Sequence, residues 1–247
     1  MAWLIVATLF LPLFPLSIVF NALLGRLRHP VARSAFILLW PQIGVVAVHL
    51  GGNAAPQAFL PWALGSAGLY ALRLLTVSDL GTYAGFLACS SLALTWSPVT
   101  GGATLADVGL FVVWFSLPAA LLAGFTGPLT RRFGAAYAKL CPGLGQSMPR
   151  LSLALALTVL SAIATAPSPA FFALWSLLRG LDAAGVVTVL GVWLIWGWGA
   201  ARLLQGFVFG TPREVGVSDI GRGAASALWV ALAVFTVLGI YLAGGRL

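Results

Sequence analysis

Six charged residues, Arg73, Asp79, Asp107, Arg179, Asp182 and Arg202, fall inside or at the ends of long apolar runs. An ionisable side chain at membrane depth marks an ion path or a buried charge, and these six are the candidates for either. Other chemistry has little to work with. The chain carries five acids, two histidines and two cysteines in 247 residues. No two acids are spaced as a general acid/base pair, Cys89 and Cys141 are too far apart in sequence for a disulfide framework, and no His or Cys cluster has metal-ligand spacing. No Gly-rich phosphate loop follows a strand. Catalytic, cofactor-binding and metal sites are therefore expected to be absent, and activity by this chain alone is not expected.

The elements that hold the six charges must be membrane helices. Hydrophobic residues make up 61% of the chain and charged ones 7%, with a mean hydropathy of +1.04. Several long apolar runs exclude a single anchor, and the lack of short alternating segments argues against a β-barrel. The net charge of +8 lies in short loops between apolar runs, so it reads as a topology signal and not as a nucleic-acid surface.

The run 2–24 is read as one retained span kinked by Pro12 and Pro15, since no basic leader precedes it. Arg26, Arg28 and Arg33 place the following loop in the cytoplasm and the N-terminus outside. A second span covers about 34–50 and ends near His49, an interfacial hydrogen bonder or a proton relay. A third, 58–75, ends at Arg73, and a fourth, 78–96, begins at Asp79; the two charges are expected to neutralise each other at the turn. Thr104 can cap a fifth span, with Asp107 in its first turn suiting the helix dipole. Arg131, Arg132, Lys139 and Arg150 follow in a long cytoplasmic loop.

The stretch 143–180 is the most patterned. A polar entry leads into an apolar helix, 151–165, then Pro167, Pro169 and the aromatic run starting at Phe171. Two prolines there stop one helix and start another. Either a broken helix near 166–182 lies at membrane depth, as where transporters bind ions, or a tight turn joins two spans at the surface. The 13 residues 169–181 are short for a straight span. Next comes 183–209, where Trp193, Trp196 and Trp198 read as belt and packing residues and Arg202 looks to Asp182, Glu214 or a lipid phosphate for a partner. Gly185, Gly191, Gly197 and Gly199 suit close helix packing in lipid. A loop with Arg213-Glu214 and Asp219 to Arg222 precedes a last span, 224–243. The fold class is all-α, a polytopic membrane protein of eight or nine transmembrane helices: a helical hairpin over 1–57, then a bundle over 58–247.

From about Leu60 onward the order of motifs resembles the antiporter-like membrane subunits of respiratory complex I, multisubunit Na⁺/H⁺ antiporters, membrane-bound hydrogenases and two-component inorganic-carbon pumps. Their Asp-Leu turn is matched at Asp79-Leu80, their helix with a following basic loop at 112–132, and their Gly-Leu-x-x-x-Met-Pro entry at 143–149. Their broken helix is matched at Pro167 to Phe171 and their helix ending in Leu-x-x-x-Phe-Phe-Gly at Leu203 to Phe207-Val208-Phe209-Gly210. The resemblance also shows departures. The family's lysine after Asp-Leu falls on Gly81, its helix His/Lys positions on Trp114 and Ser116, and the titratable residue of its broken helix near Leu174. The family is about twice this length, and helices of its first repeat are expected to be missing around 49–60.

What the resemblance implies is a shortened, degenerate subunit that acts as a structural partner in a larger energy-transducing assembly. Its partners would be a full-length antiporter-like protein or a peripheral catalytic subunit, with membrane lipids and no nucleic acid, in a bacterial inner membrane. The alternative is a proton- or cation-conducting subunit, inorganic-carbon uptake included, that uses the residual charges.

Overall fold

In the computed structural model, residues 2–52, 55–211 and 218–244 are described. They form thirteen helices and no strand: α1 (Ala2–Phe10), α2 (Ser17–Arg26), α3 (Pro30–Leu50), α4 (Phe59–Leu74), α5 (Leu80–Ala93), α6 (Trp96–Thr100), α7 (Leu105–Gly124), α8 (Thr126–Phe133), α9 (Leu144–Ser147), α10 (Pro149–Ala162), α11 (Pro169–Arg179), α12 (Ala183–Val208) and α13 (Arg222–Gly244). The one β-bridge joins Asp79 to Tyr137. Four helices are long and apolar enough to cross a membrane: α3, α7 with its continuation to Phe133, α12, and α13 as far as Leu242.

Local chemistry sets the helix starts. Pro30 and Pro169 occupy first turns, where the missing N–H costs nothing. Asp79, Thr104, Ser168 and Asp182 each accept a hydrogen bond from a backbone N–H three residues on, which satisfies an orphan donor. The α10 start is capped from far away: Asp219 accepts from the N–H groups of Arg150 and Leu151 at 2.8 and 3.2 Å. Gly134, at φ +77°, ends α8 in the left-handed conformation that glycine adopts without penalty.

Helix α7 is the centre of the bundle, with 61% of its apolar stretch buried against 22% for α13 at the edge. Helix α3 runs antiparallel along it, Ser34 against Ala120 and Gly109 near Val45. Helices α4 and α5 form a hairpin, α12 packs on α4, α10 on α7, and α11 on α13. These contacts sort the connections into two rims. The starts of α3, α5 and α10 and the ends of α2, α4, α7 and α12 lie at one rim, and Leu50, Asp107, Arg179 and Asp182 lie at the other.

Three expectations change. The run 2–24 is not one kinked span, because residues 11–16 interrupt it completely between α1 and α2. Two prolines within four residues remove two backbone donors, more than one helical turn can lose. The basic segment after α7 is not simply a loop, since Arg131 and Arg132 form the last turn of α8, where their charge suits the helix C-terminus. The second span begins at Pro30, not residue 34.

Candidate functional site

The interruption at 11–16 lies at depth. Leu11 packs against Gly44 of α3, and Phe20 meets Phe36 with ring centroids 5.2 Å apart, so the break spans the middle of α3. In lipid each unpaired backbone group costs several kcal/mol, about the range for a lost amide partner, so the freed groups need partners. Three indoles supply them. Trp40 Nε1 donates to Leu9 O at 3.2 Å, Trp96 Nε1 to Leu11 O at 3.1 Å, and Trp62 Nε1 to Phe14 O. The Phe14 N–H donates to Ser66 Oγ at 3.0 Å. Below the break, Ser17 Oγ pairs with Tyr70 OH at 2.7 Å, and Asn21 Nδ2 donates to Ser17 O and Cys89 Sγ at 3.0 and 3.1 Å.

A second interruption separates α10 from α11 at 163–168, where the sequence places a break. Trp193 Nε1 donates to Ile163 O at 2.9 Å. Trp193 is about ten residues into α12, or about 15 Å from its start at 1.5 Å per residue, so this interruption lies beside the middle of α12. Thr165 turns back onto Leu160 O through its hydroxyl at 2.8 Å, and Ser168 caps α11. Pro167 is exposed, whereas Pro169 is buried against Gly239 of α13. Phe171 stacks on Trp175 and tilts against Trp193, with centroids 6.5 and 6.1 Å apart. At both breaks freed carbonyls are thus met by indole N–H groups, which donate and cannot accept.

The six charged candidates divide between the rims. Arg73, Asp79 and Arg202 belong to the rim at the end of α4. Arg73 and Asp79 do not neutralise each other: the guanidinium of Arg73 lies over the rings of Tyr70 and Phe86, 5.9 and 5.7 Å from their centroids, and Asp79 Oδ2 accepts from Thr82 N and Oγ1, both at 2.7 Å. Arg202 donates through Nη1 to Leu75 O, and Asp182 is not its partner. Asp182 caps the opposite end of α12, about 30 Å away over twenty residues, which is why it cannot reach. Glu214 and Arg213 lie outside the described residues.

At the other rim, Thr104 Oγ1 donates to Asp107 Oδ2 at 2.7 Å and accepts from Asp107 N at 3.3 Å, the reciprocal cap the sequence leads one to expect. Arg179 lies over Trp175, 5.9 Å from its centroid, and shares a groove of about 560 Å³ with Asp107 between α7, α11 and α13. His49 is exposed at the end of α3.

Between the rims the polar groups are neutral. Ser90 Oγ donates to Ala67 O at 2.7 Å and receives Trp196 Nε1 at 2.8 Å. Gly81, Trp114, Ser116 and Leu174, the positions that the resemblance sets against titratable residues, carry no ionisable group. Ser116 and Leu174 are buried, and Ser116 Oγ has no partner; neither does Ser161 Oγ. Among the described residues no Asp, Glu, Lys, Arg or His stands between the two rims, and no group of three His, Cys, Asp or Glu could hold a metal. The residues that complete the interruptions, Trp40, Trp62, Trp96 and Trp193, were not among the sequence candidates. Their signal in the sequence is a proline pair in an apolar run, which frees carbonyls that something must satisfy.

No family model and no curated protein matches the chain. Solved structures do. A chain of the Mrp complex from Dietzia sp. DQ12-45-1b matches with a TM-score of 0.81 at 14% identity, over 98% of this chain and 55% of that one. A chain of the membrane-bound sulfane sulfur reductase, an archaeal respiratory membrane complex, matches at 0.80 and 14% identity, over 96% and 52%. A chain of respiratory complex I from Thermus thermophilus with bound NADH matches at 0.81 and 18% identity, over 97% and 54%. The chain spans about half the length of these solved chains. The likeness is not confined to the residues after Leu60. With 96–98% of the chain covered, it takes in the first three helices as well, although no motif marks them. The chain has the fold of the antiporter-like subunits of such complexes, over about half of their length.

Proposed function

We propose that this chain is a non-catalytic membrane subunit that supports an ion-translocating assembly and does not relay protons itself. One observation carries the reading: both interrupted helices have freed carbonyls closed by indole N–H groups, and the described interior between the rims holds no carboxylate, lysine, arginine or histidine. A hopping proton needs groups that take it up and release it, and Arg at the rims does not release one at physiological pH. The partner is a fuller antiporter-like subunit or a peripheral catalytic subunit held at the membrane. The solved relatives, which belong to multisubunit membrane complexes, support that choice.

On this reading the chain crosses the membrane eight times, through α1–α2, α3, α4, α5, α7, α10–α11, α12 and α13. The rim with Arg26, Arg28, Arg33, Arg131, Arg132, Lys139 and Arg150 faces the cytoplasm of a bacterial inner membrane, and the N-terminus faces outward.

The test is affinity purification of the tagged chain in mild detergent with mass spectrometry of what stays bound, followed by ion flux in proteoliposomes. Stable membrane partners, and flux that is unchanged when Asp79, Asp107 and Asp182 are replaced by Asn, support the reading. A sharp fall in flux with the assembly intact overturns it. The second reading, a conducting subunit for protons, cations or inorganic carbon, draws on the partnerless hydroxyls of Ser116 and Ser161, which could hold water inside the bundle. That reading requires the fall in flux.

A further inference from the structure

At the Arg-rich rim a cavity of about 540 Å³ opens between the start of α3, the α7–α8 junction and the segment after α8. Arg28, Arg33 and Arg131 line it, with His29, Thr130 and Tyr137 beside them. Its one lining carboxylate is Asp79, whose Oδ2 already accepts from both the N–H and the hydroxyl of Thr82. None of the three arginines has an ion-pair partner among the described residues. Arg33 is anchored by its Nε, which donates to Leu27 O at 2.6 Å, so its Nη groups are presented in a fixed orientation.

Three guanidiniums on one concavity carry more positive charge than the single engaged carboxylate offsets, and the excess calls for an anion. Planar guanidinium forks match the oxygens of a phosphate group, which can take two parallel hydrogen bonds from each. The cavity is also much larger than a bare phosphate needs, given that a water takes on the order of 30 Å³. It has room for the glycerol part of a headgroup and sits where a helical bundle meets the polar layer of a bilayer. Basic pockets between membrane helices on the cytoplasmic side hold lipid headgroups of this charge.

We propose that this cavity binds a phosphate oxyanion, carried by an anionic phospholipid headgroup or present as free phosphate. The site is independent of whether the chain conducts ions. The experiment uses the full chain in neutral detergent and follows its thermal unfolding while phosphatidylglycerol, phosphatidylcholine or inorganic phosphate is added, with native mass spectrometry of retained lipid. Phosphatidylglycerol is expected to raise the unfolding midpoint and to stay bound, and phosphatidylcholine to do neither.

The double variant Arg28→Gln/Arg131→Gln, at two exposed positions, weakens half-saturation roughly thirtyfold, from about 1 kcal/mol per arginine at tenfold per 1.4 kcal/mol. Arg179→Gln at the opposite rim leaves it unchanged. If inorganic phosphate at matched phosphorus concentration reproduces the shift, the ligand is the free anion; if only the lipid does, it is the headgroup. No response to either, or an equal response in the double variant, overturns the proposal.

Discussion

Arg33 of α3 holds its Nη1 where a β-carbon on Gly81 of α5 would stand. The resemblance places a buried lysine at position 81, and here a cation from another helix has come to rest beside the bare backbone, near the Asp79 carboxylate. The two facts are linked. An arginine on α3 can enter only because position 81 has no side chain.

Gly81→Ala is therefore expected to displace the Arg33 guanidinium and break its bond to Leu27 O. The cost is about 1.5–3 kcal/mol, that of one hydrogen bond from a charged group. The displaced group is the tip of a flexible side chain, so the backbone need not move. In an Arg33→Ala background the same substitution costs next to nothing, and the double-mutant cycle, read by thermal unfolding in detergent, returns that difference as coupling. Additive effects would mean that the two residues do not meet.

Trp96→Phe removes the indole N–H that Leu11 O accepts and retains most of the ring that stacks on Phe59 with centroids 4.8 Å apart. Trp96 is fully buried, so no water replaces the lost donor. A loss of about 2–3 kcal/mol is expected, from an unpaired carbonyl and a small cavity together. Trp198→Phe, on a side chain 66% exposed, should stay within about 0.5 kcal/mol. Unfolding midpoints of the two variants side by side test the claim that the interruption is held shut by indoles.

How much of this could be read from the sequence depends on the range of each interaction. The all-helical membrane class follows from composition, and the caps at Thr104 and Ser168 lie three residues from the N–H they accept. The break at 163–168 is visible because Thr165 and Ser168 flank Pro167 with polar side chains and Pro169 follows at once. Pro12 and Pro15 sit among leucines and phenylalanines, so the same event looks like a kink. The donors that close the two breaks come from 31, 85 and 30 residues away at Trp40, Trp96 and Trp193. A tryptophan bound to a distant carbonyl has the same sequence as one in an interfacial belt. A charge suggests a countercharge, so the sequence offers Arg202 only charged partners, and the carbonyl of Leu75 at the end of α4 goes unseen.

At Gly44 the end of α1 comes close to α3. A β-carbon there would lie 2.7 Å from Leu11 Cγ and 3.0 Å from Leu11 N. Because one of those atoms is backbone at the edge of the interruption, relief requires α1 to shift. Gly44→Ala is expected to destabilise the chain by about 1–3 kcal/mol, as overpacking does. Gly191→Ala, with nothing within 4 Å of its β-carbon, should be neutral or slightly stabilising through helix propensity. Thermal unfolding of both variants in one detergent reads the contrast.

Asp219 ties the segment before α13 to the first turn of α10. Its carboxylate accepts from Arg150 N at 2.8 Å and from Leu151 N at 3.2 Å, and also from Ile220 N at 2.7 Å. The N-terminal N–H groups of a helix that enters the bundle need acceptors, and Met148, the residue before Pro149, supplies none from its side chain. Asp219→Ala leaves both donors unpaired and removes a negative charge from the positive end of the helix dipole, a loss of about 1–2 kcal/mol. Asp219→Asn keeps one acceptor oxygen and loses the charge, so it should fall between Ala and the native residue. Because α13 packs on α10 and α11, hydrogen exchange at the start of α10 should rise in the Ala variant before global unfolding shifts. Unchanged exchange at Arg150 and Leu151 would show that the cap is not what holds this end of the helix.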